Sequence, residues 1–172
     1  MIVLGADPSI TALGIGVVDR STREVLHLET VRSDTDEPDE ARYLRIYRRL
    51  CSVIRAKRVV AVAVEEQRRV QVGAQKRREF NGNNSKVSIV VGLVMGAAWA
   101  HGLPVFVVTP QCAKNAVLGK GNGNAKKQQV KAAVRNMLGD DAGVFSADAA
   151  DGVAIACAPS LLEIAQALKS GT

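Results

Sequence analysis

The stretch MIVLGADPSITALGIGVVDRSTREVLHLETV, Met1–Val31, decides the fold. Met1–Ala6 is a short apolar run closed by Asp7-Pro8, and a residue preceding proline is held extended, so Asp7 is expected to end a strand. Ala12–Asp19 (ALGIGVVD) and Glu24–Val31 (EVLHLETV) read as two more strands, joined by the polar turn Arg20–Arg23. The three form a meander with a carboxylate where the first strand stops.

Beyond the meander, Ser33–Glu40 is an acidic surface loop with one proline. Ala41–Lys57 places Tyr43, Leu44, Ile46, Tyr47, Leu50, Val53 and Ile54 at helical spacing, with arginines opposite. Arg58–Val64 (RVVAVAV) is continuous and β-branched, as expected of a strand buried on both faces, and it delivers Glu65 and Glu66 at its end. Val87–His101 reads as a buried helix rich in Gly, Ala and Val, Leu103–Val108 as a fifth strand, and Pro110–Leu118 as a short helix with proline in its first turn. After the flexible break Gly119–Asn124 (GKGNGN), Ala125–Leu138 resumes a helical pattern with Val130, Ala133, Val134 and Met137 inward. Ser146 suits the N-cap of a last helix from Ala147 to about Leu168, with Pro159 as a point of kinking or interruption. This order predicts a mixed α/β fold in one domain over residues 1–172.

Charge is unevenly distributed. Residues 1–66 hold 10 Lys or Arg against 11 Asp or Glu, residues 67–139 hold 12 against one, and residues 140–172 hold one against five. The formal +6 is therefore a basic block bracketed by acidic segments, a division suited to holding phosphates in one place and metal in another. Cys51, Cys112 and Cys157 are odd in number and widely spaced, which excludes a disulfide framework and a CxxC clip; they read as core residues. The start lacks a basic n-region, and the longest apolar stretch, around Ile89–Ala100, falls short of the ~20 residues of a membrane helix, so a cytosolic protein is expected.

Four carboxylates lie in segments that otherwise read as core: Asp7, Glu66, Asp148 and Asp151. Asp148 and Asp151 stand three residues apart, on one face of a helical first turn, followed by small apolar residues. Early-turn acids also favour the helix dipole, and an Asp before Pro is a common turn residue. Glu65 and Glu66 are neighbours, and strand alternation sends only one of them inward. Together the acids point to a divalent-cation site. Mg²⁺ prefers oxygen ligands, and four carboxylates can hold two ions about 4 Å apart. His27 and His101 lie far from any acid motif.

Three blocks, GADPSITALGIGVVD at Gly5–Asp19, VEEQ at Val64–Gln67 and ADAADGVAIA at Ala147–Ala156, resemble the RuvC family of Holliday junction resolvases, within the RNase H-like superfamily. A fourth, KNAVLGKGNGNAKKQQV at Lys114–Val130, resembles the family's basic segment. The resemblance is collinear over nearly the whole chain. It implies an RNase H-like α/β fold, a five-stranded mixed sheet with three antiparallel and two parallel strands, flanked by helices. It places the family's catalytic and metal-holding acids on Asp7, Glu66, Asp148 and Asp151, with Glu65 unassigned, and its DNA-contacting lysines on Lys114 and Lys127.

The implied activity is Mg²⁺-dependent cleavage of branched DNA, with Mn²⁺ as substitute and two ions per site, giving 5′-phosphate and 3′-hydroxyl ends. Lys127 or its neighbour Lys126 would face the scissile phosphate, and Arg68, Arg69, Lys76, Arg77 and Arg78 would form a basic loop for flanking phosphates. Family members commonly carry an apolar and then an aromatic residue after the E-Q, the aromatic wedging the crossover. Arg68 and Arg69 stand there instead, and Phe80 is the candidate replacement. GKGNGN is two residues longer than the usual G-x-G, so the chain reads as a divergent member, with a phage or mobile element as one source. A junction has two strands to cut symmetrically, so a homodimer is expected, with the helix over Val87–Trp99 as its interface; coupling to a branch-migration helicase is left open. The rivals are a nuclease acting mainly on flaps, forks or replication intermediates, and a catalytically silent branched-DNA-binding protein. An actin-like or sugar-kinase ATPase shares the Asp-led hairpin but needs a second phosphate loop and usually twice the length.

Overall fold

In the computed structural model, residues 1–66, 82–139 and 142–170 are described. The meander forms as β1 (Ile2–Asp7), β2 (Ala12–Asp19) and β3 (Glu24–Arg32), paired antiparallel, with Asp7 as the last residue of β1. After α1 (Asp39–Ala56), β4 (Ala61–Glu65) returns parallel to β1, and after α2 (Gly82–Trp99), β5 (Val105–Val108) joins parallel to β4. The sheet order is β3-β2-β1-β4-β5, the five-stranded mixed sheet that the sequence implies. The chain closes with α3 (Pro110–Leu118), α4 (Lys127–Leu138), α5 (Ala147–Ala156) and α6 (Leu161–Ser170).

Alternation along the central strands divides the apolar side chains between two faces. Leu4, Ala6, Val62 and Val64 join Leu13, Ile15 and Val17 against Ile46, Leu50, Val53 and Ile54 of α1 and Val90, Val94, Ala97 and Ala98 of α2. Val3, Ala61 and Ala63 face the other way, against Val130 and Val134 of α4 and Ala150, Val153 and Ala154 of α5. β4 is therefore buried on both faces, as its unbroken β-branched run indicates.

The second face carries the feature that positions the site. Gly5, Gly14 and Gly16 lie where α5 crosses the sheet, and a Cβ at each would collide with backbone atoms of Gly152 and Ala156, of Asp148, and of Gly152 and Val153 respectively. Helix and strands thus meet main chain to main chain, which is why ADAADGVAIA needs small residues. Seven of its ten residues are buried. Its N-terminus is fixed by Ser146, whose hydroxyl accepts from the Ala149 N–H at 3.0 Å and is itself hydrogen-bonded to Thr30 of β3.

The largest departures from the sequence reading are in the last helix and in α2. The expected last helix is two helices: α5 stops at Ala156 and α6 starts at Leu161, with a 67° bend between them. Pro159 lies in the break, and its carbonyl accepts from the Arg20 guanidinium at 3.0 Å, so one carbonyl in the break is satisfied from the turn after β2. α2 begins at Gly82 rather than Val87 and is not buried all round: Ile89 and Trp99 are exposed. Among the described residues no single helix is long and apolar enough to cross a membrane.

Candidate functional site

The β1–β2 register sets Asp7 opposite Gly14, and Gly14 is the residue over which the Asp148 carbonyl sits. Close approach of α5 therefore carries its first turn to the end of β1. Helical spacing then brings Asp151 to the same side as Asp148. One carboxylate oxygen from each of Asp7, Asp148 and Asp151 lies within 4.8 Å of the other two.

Lys127, the first residue of α4, spans the pair on α5. Its Nζ is 3.2 Å from Asp148 Oδ1 and 3.1 Å from Asp151 Oδ2. A cavity of about 180 Å³ opens beside them, lined by Asp7, Glu65, Asp151, Lys114 and Lys127 with Pro110, Ala113 and Ala154.

The electrostatics are those of acids held too close together. Burial, then the charges of Glu65, Asp151 and Asp148, push the Asp7 carboxyl up to about 7, against the pull of Lys127. Burial and Asp148 also raise Asp151, although Lys127 and Lys114 oppose the shift. Burial works against the Lys127 ammonium, yet its bonds to Asp151 and Asp148 hold it well above the ordinary lysine range. A cluster that raises its own acids and captures a lysine is short of positive charge. Its donors are all carboxylate oxygens, without His or Cys, and so fit Mg²⁺ or Mn²⁺.

Of the two glutamates that end β4, the structure brings Glu65 to the cavity and not Glu66, the one expected as the fourth acid. β1 and β4 run parallel with Ala6 opposite Val64, so the next pair along the strands is Asp7 and Glu65. Val64 belongs to the face covered by α1 and α2, whereas Ala63 and Glu65 share the face of Asp7. Glu65 lines the cavity; Glu66 is exposed, and its backbone N–H bonds to the Val108 carbonyl at 2.8 Å. The alternation was legible in VEEQ, but choosing between the two glutamates requires the β1–β4 register, which only the fold supplies.

Of the basic candidates, Lys114 and Lys127 meet at the cavity. Lys126 does not: it caps α4, with its backbone N–H donating to Gln129 Oε1 at 2.8 Å. Arg68, Arg69, Lys76, Arg77, Arg78 and Phe80 lie outside the described residues. His27 pairs with Glu29 at 3.3 Å and His101 bonds the Ala97 carbonyl through Nδ1, so neither serves the site.

A mixed sheet in this order, with acids at the ends of its two central strands and on the first turn of a helix laid across them, defines an RNase H-like fold carrying a carboxylate centre. The family described as "Crossover junction endodeoxyribonuclease RuvC" matches residues 3–158, and the chain belongs to it. RuvC of Bifidobacterium animalis subsp. lactis is 36% identical over 164 residues, spanning 94% of this chain and 80% of the relative. RuvC of Thermus thermophilus is also 36% identical, spanning 91% of each. The solved structure of T. thermophilus RuvC in complex with a Holliday junction substrate superposes with a TM-score of 0.74 at 35% identity, covering 92% of this chain and 91% of that one. The yeast mitochondrial Holliday junction resolvase, at 14% identity and TM-score 0.58, shares the fold.

Proposed function

We propose that this chain is a structure-selective endonuclease that cleaves Holliday junctions by phosphodiester hydrolysis dependent on two Mg²⁺ ions, with Mn²⁺ as substitute, leaving 5′-phosphate and 3′-hydroxyl ends. The observation that carries it is the convergence of Asp7, Asp148 and Asp151 within 4.8 Å beside Glu65, in a chain of this family. Asp7, Glu65, Asp148 and Asp151 would hold the ions, with Glu65 taking the role first given to Glu66. When bound, such ions activate a water and stabilise the leaving oxygen.

The other residues act on the substrate. Lys127 exchanges its carboxylate partners for the scissile phosphate, and Lys114, on the same cavity wall, contacts a neighbouring phosphate. Arg68, Arg69, Lys76, Arg77, Arg78 and Phe80 contribute to the branch point in our reading, with selectivity set more by DNA shape than by sequence.

We take the active form to be a cytosolic homodimer of a single domain over residues 1–172. Support for the dimer comes from α2, where Ile89, Gly92, Gly96 and Trp99 fall on one side of the helix. Ile89 and Trp99 are exposed, and a Cβ at either glycine would meet nothing within 4 Å. Two copies related by a twofold would present two sites to two strands.

Cleavage of a mobile four-way junction, a Y-fork and a linear duplex should be compared side by side in Mg²⁺ or Mn²⁺. Paired nicks in the four-way junction, absent under chelation, are expected. Preferred cutting of the fork would move the function to flaps or replication intermediates, and binding without cutting would leave a DNA-structure-binding protein.

A further inference from the structure

Lys127, Lys131 and Arg135 follow one another at four-residue intervals on α4, and no acid occurs between Lys126 and Leu138. Four-residue spacing puts the three on one flank of the helix, about 6 Å apart and about 12 Å end to end. The first is the lysine bridging the two aspartates of α5. The other two converge on a single ring: Lys131 Nζ is 5.4 Å and the Arg135 guanidinium carbon 5.3 Å from the centre of Phe145. Among the described residues neither makes an ion pair.

Like charges at i and i+4 repel one another, and a helix selected for stability would set acids between them. Here the intervening positions are Gln128, Gln129, Val130, Ala132, Ala133 and Val134, and among the described residues the compensation for Lys131 and Arg135 is the π face of Phe145, a weak attractor for a cation. Such an arrangement is satisfied by an anion from outside. Phe145 directly precedes Ser146, the N-cap of the helix that bears Asp148 and Asp151, so the ring ties both cations to the frame of the acidic centre.

We propose that this flank of α4 is a phosphate track, along which Lys131 and Arg135 hold the backbone of one duplex arm leading away from the cut, with Phe145 fixing both side chains in advance. The inference rests on the reading of the chain as a junction nuclease. With Lys127 at the scissile phosphate, the next two cations stand one and two helical turns away. About 12 Å spans some three to four phosphates of one strand at 3.4 Å of axial rise each. The track reads backbone alone, so it adds affinity and orientation without base preference.

The test measures binding of a labelled four-way junction in EDTA between 50 and 200 mM salt, for the wild-type protein, Lys131→Gln/Arg135→Gln, and the charge-conserving Lys131→Arg/Arg135→Lys. The neutral pair should bind roughly ten-fold more weakly at the upper salt limit, with the log–log salt slope reduced by about 1.8, two contacts' worth. The charge-conserving pair should bind as wild type. Thermal stability of the neutral pair should be unchanged or higher, since repulsion is relieved. A neutral pair with wild-type affinity and slope, or one that loses stability while binding normally, overturns the track and leaves the nuclease reading standing. A wild-type protein that does not bind the junction removes both. Phe145→Leu, which keeps both charges, should weaken binding about two-fold with the slope intact.

Discussion

α5 and α2 are helices of similar composition laid on opposite faces of one sheet, and they use small residues in opposite ways. On α5 they admit the backbone of Gly5, Gly14 and Gly16, and the helix vanishes into the core. On α2 the glycines Gly92 and Gly96 look outward, onto nothing within 4 Å, between exposed Ile89 and Trp99. Composition alone makes both read as buried. What separates them is whether the facing strands carry glycine, and on the α2 side Leu4, Ala6, Val62 and Val64 keep the helix at side-chain distance.

The largest effect should come from the tip of α5. Asp7→Asn, Asp148→Asn, Asp151→Asn and Glu65→Gln should each lower junction cleavage about a thousand-fold or more, the scale of losing a preorganised electrostatic group. Glu66→Gln should stay within about two-fold, as exposed substitutions do. Single-turnover cleavage on a junction decides the pair, and the opposite order for the two glutamates would refute the register argument.

Next comes the seam itself. Gly14→Ala forces a methyl group into the Asp148 carbonyl, so its destabilisation should exceed the roughly 1–3 kcal/mol of ordinary overpacking. Denaturant unfolding measures this, and a mild loss would mean that α5 can ride up without cost.

A third effect is tied to pH. The folded protein holds the Asp7 proton up to about 7, whereas the unfolded chain releases it near the ordinary 3.8. The folded state binds more protons between those values, so Asp7 makes metal-free stability fall as pH rises from about 4 to 7 and level off above. The change amounts to at most about 4 kcal/mol. Melting curves in EDTA should fall more steeply with pH in wild type than in Asp7→Asn, which keeps the contribution of Asp151; identical slopes would place the charge frustration elsewhere.

The smallest effect belongs to α2. Gly92→Ala and Gly96→Ala should each gain about 0.5–1 kcal/mol in the monomer through helix propensity while weakening self-association. Sedimentation paired with melting reads both, and unchanged association would overturn the proposal that α2 forms a dimer surface.

Much of this was legible in the sequence because it is periodic. The proline after Asp7 fixed the end of β1, the unbroken run Ala61–Val64 marked a central strand, and Ser146 marked the start of α5. What escaped depends on register or on distance along the chain. Choosing Glu65 over Glu66 needs the pairing of Ala6 with Val64, and the Lys131–Phe145–Arg135 cluster joins a helix to a residue that lies beyond its end. The break after Ala156 was marked by Pro159, but the Arg20 bond that secures it comes from 139 residues away.

The seam between α5 and the sheet has an evolutionary consequence. Side-chain contacts can drift, one methylene at a time, and carry a site with them. Here the spacing between Asp7 and Asp148 is set by atoms that every residue shares, at positions where no residue other than glycine fits. Mutation therefore has no gradual path by which to widen or narrow the acidic centre. Substitutions that leave the seam undisturbed are those in parts that do not bear on it, such as the charges displayed along α4 and the outward face of α2, so those parts can change without moving Asp148 relative to Asp7.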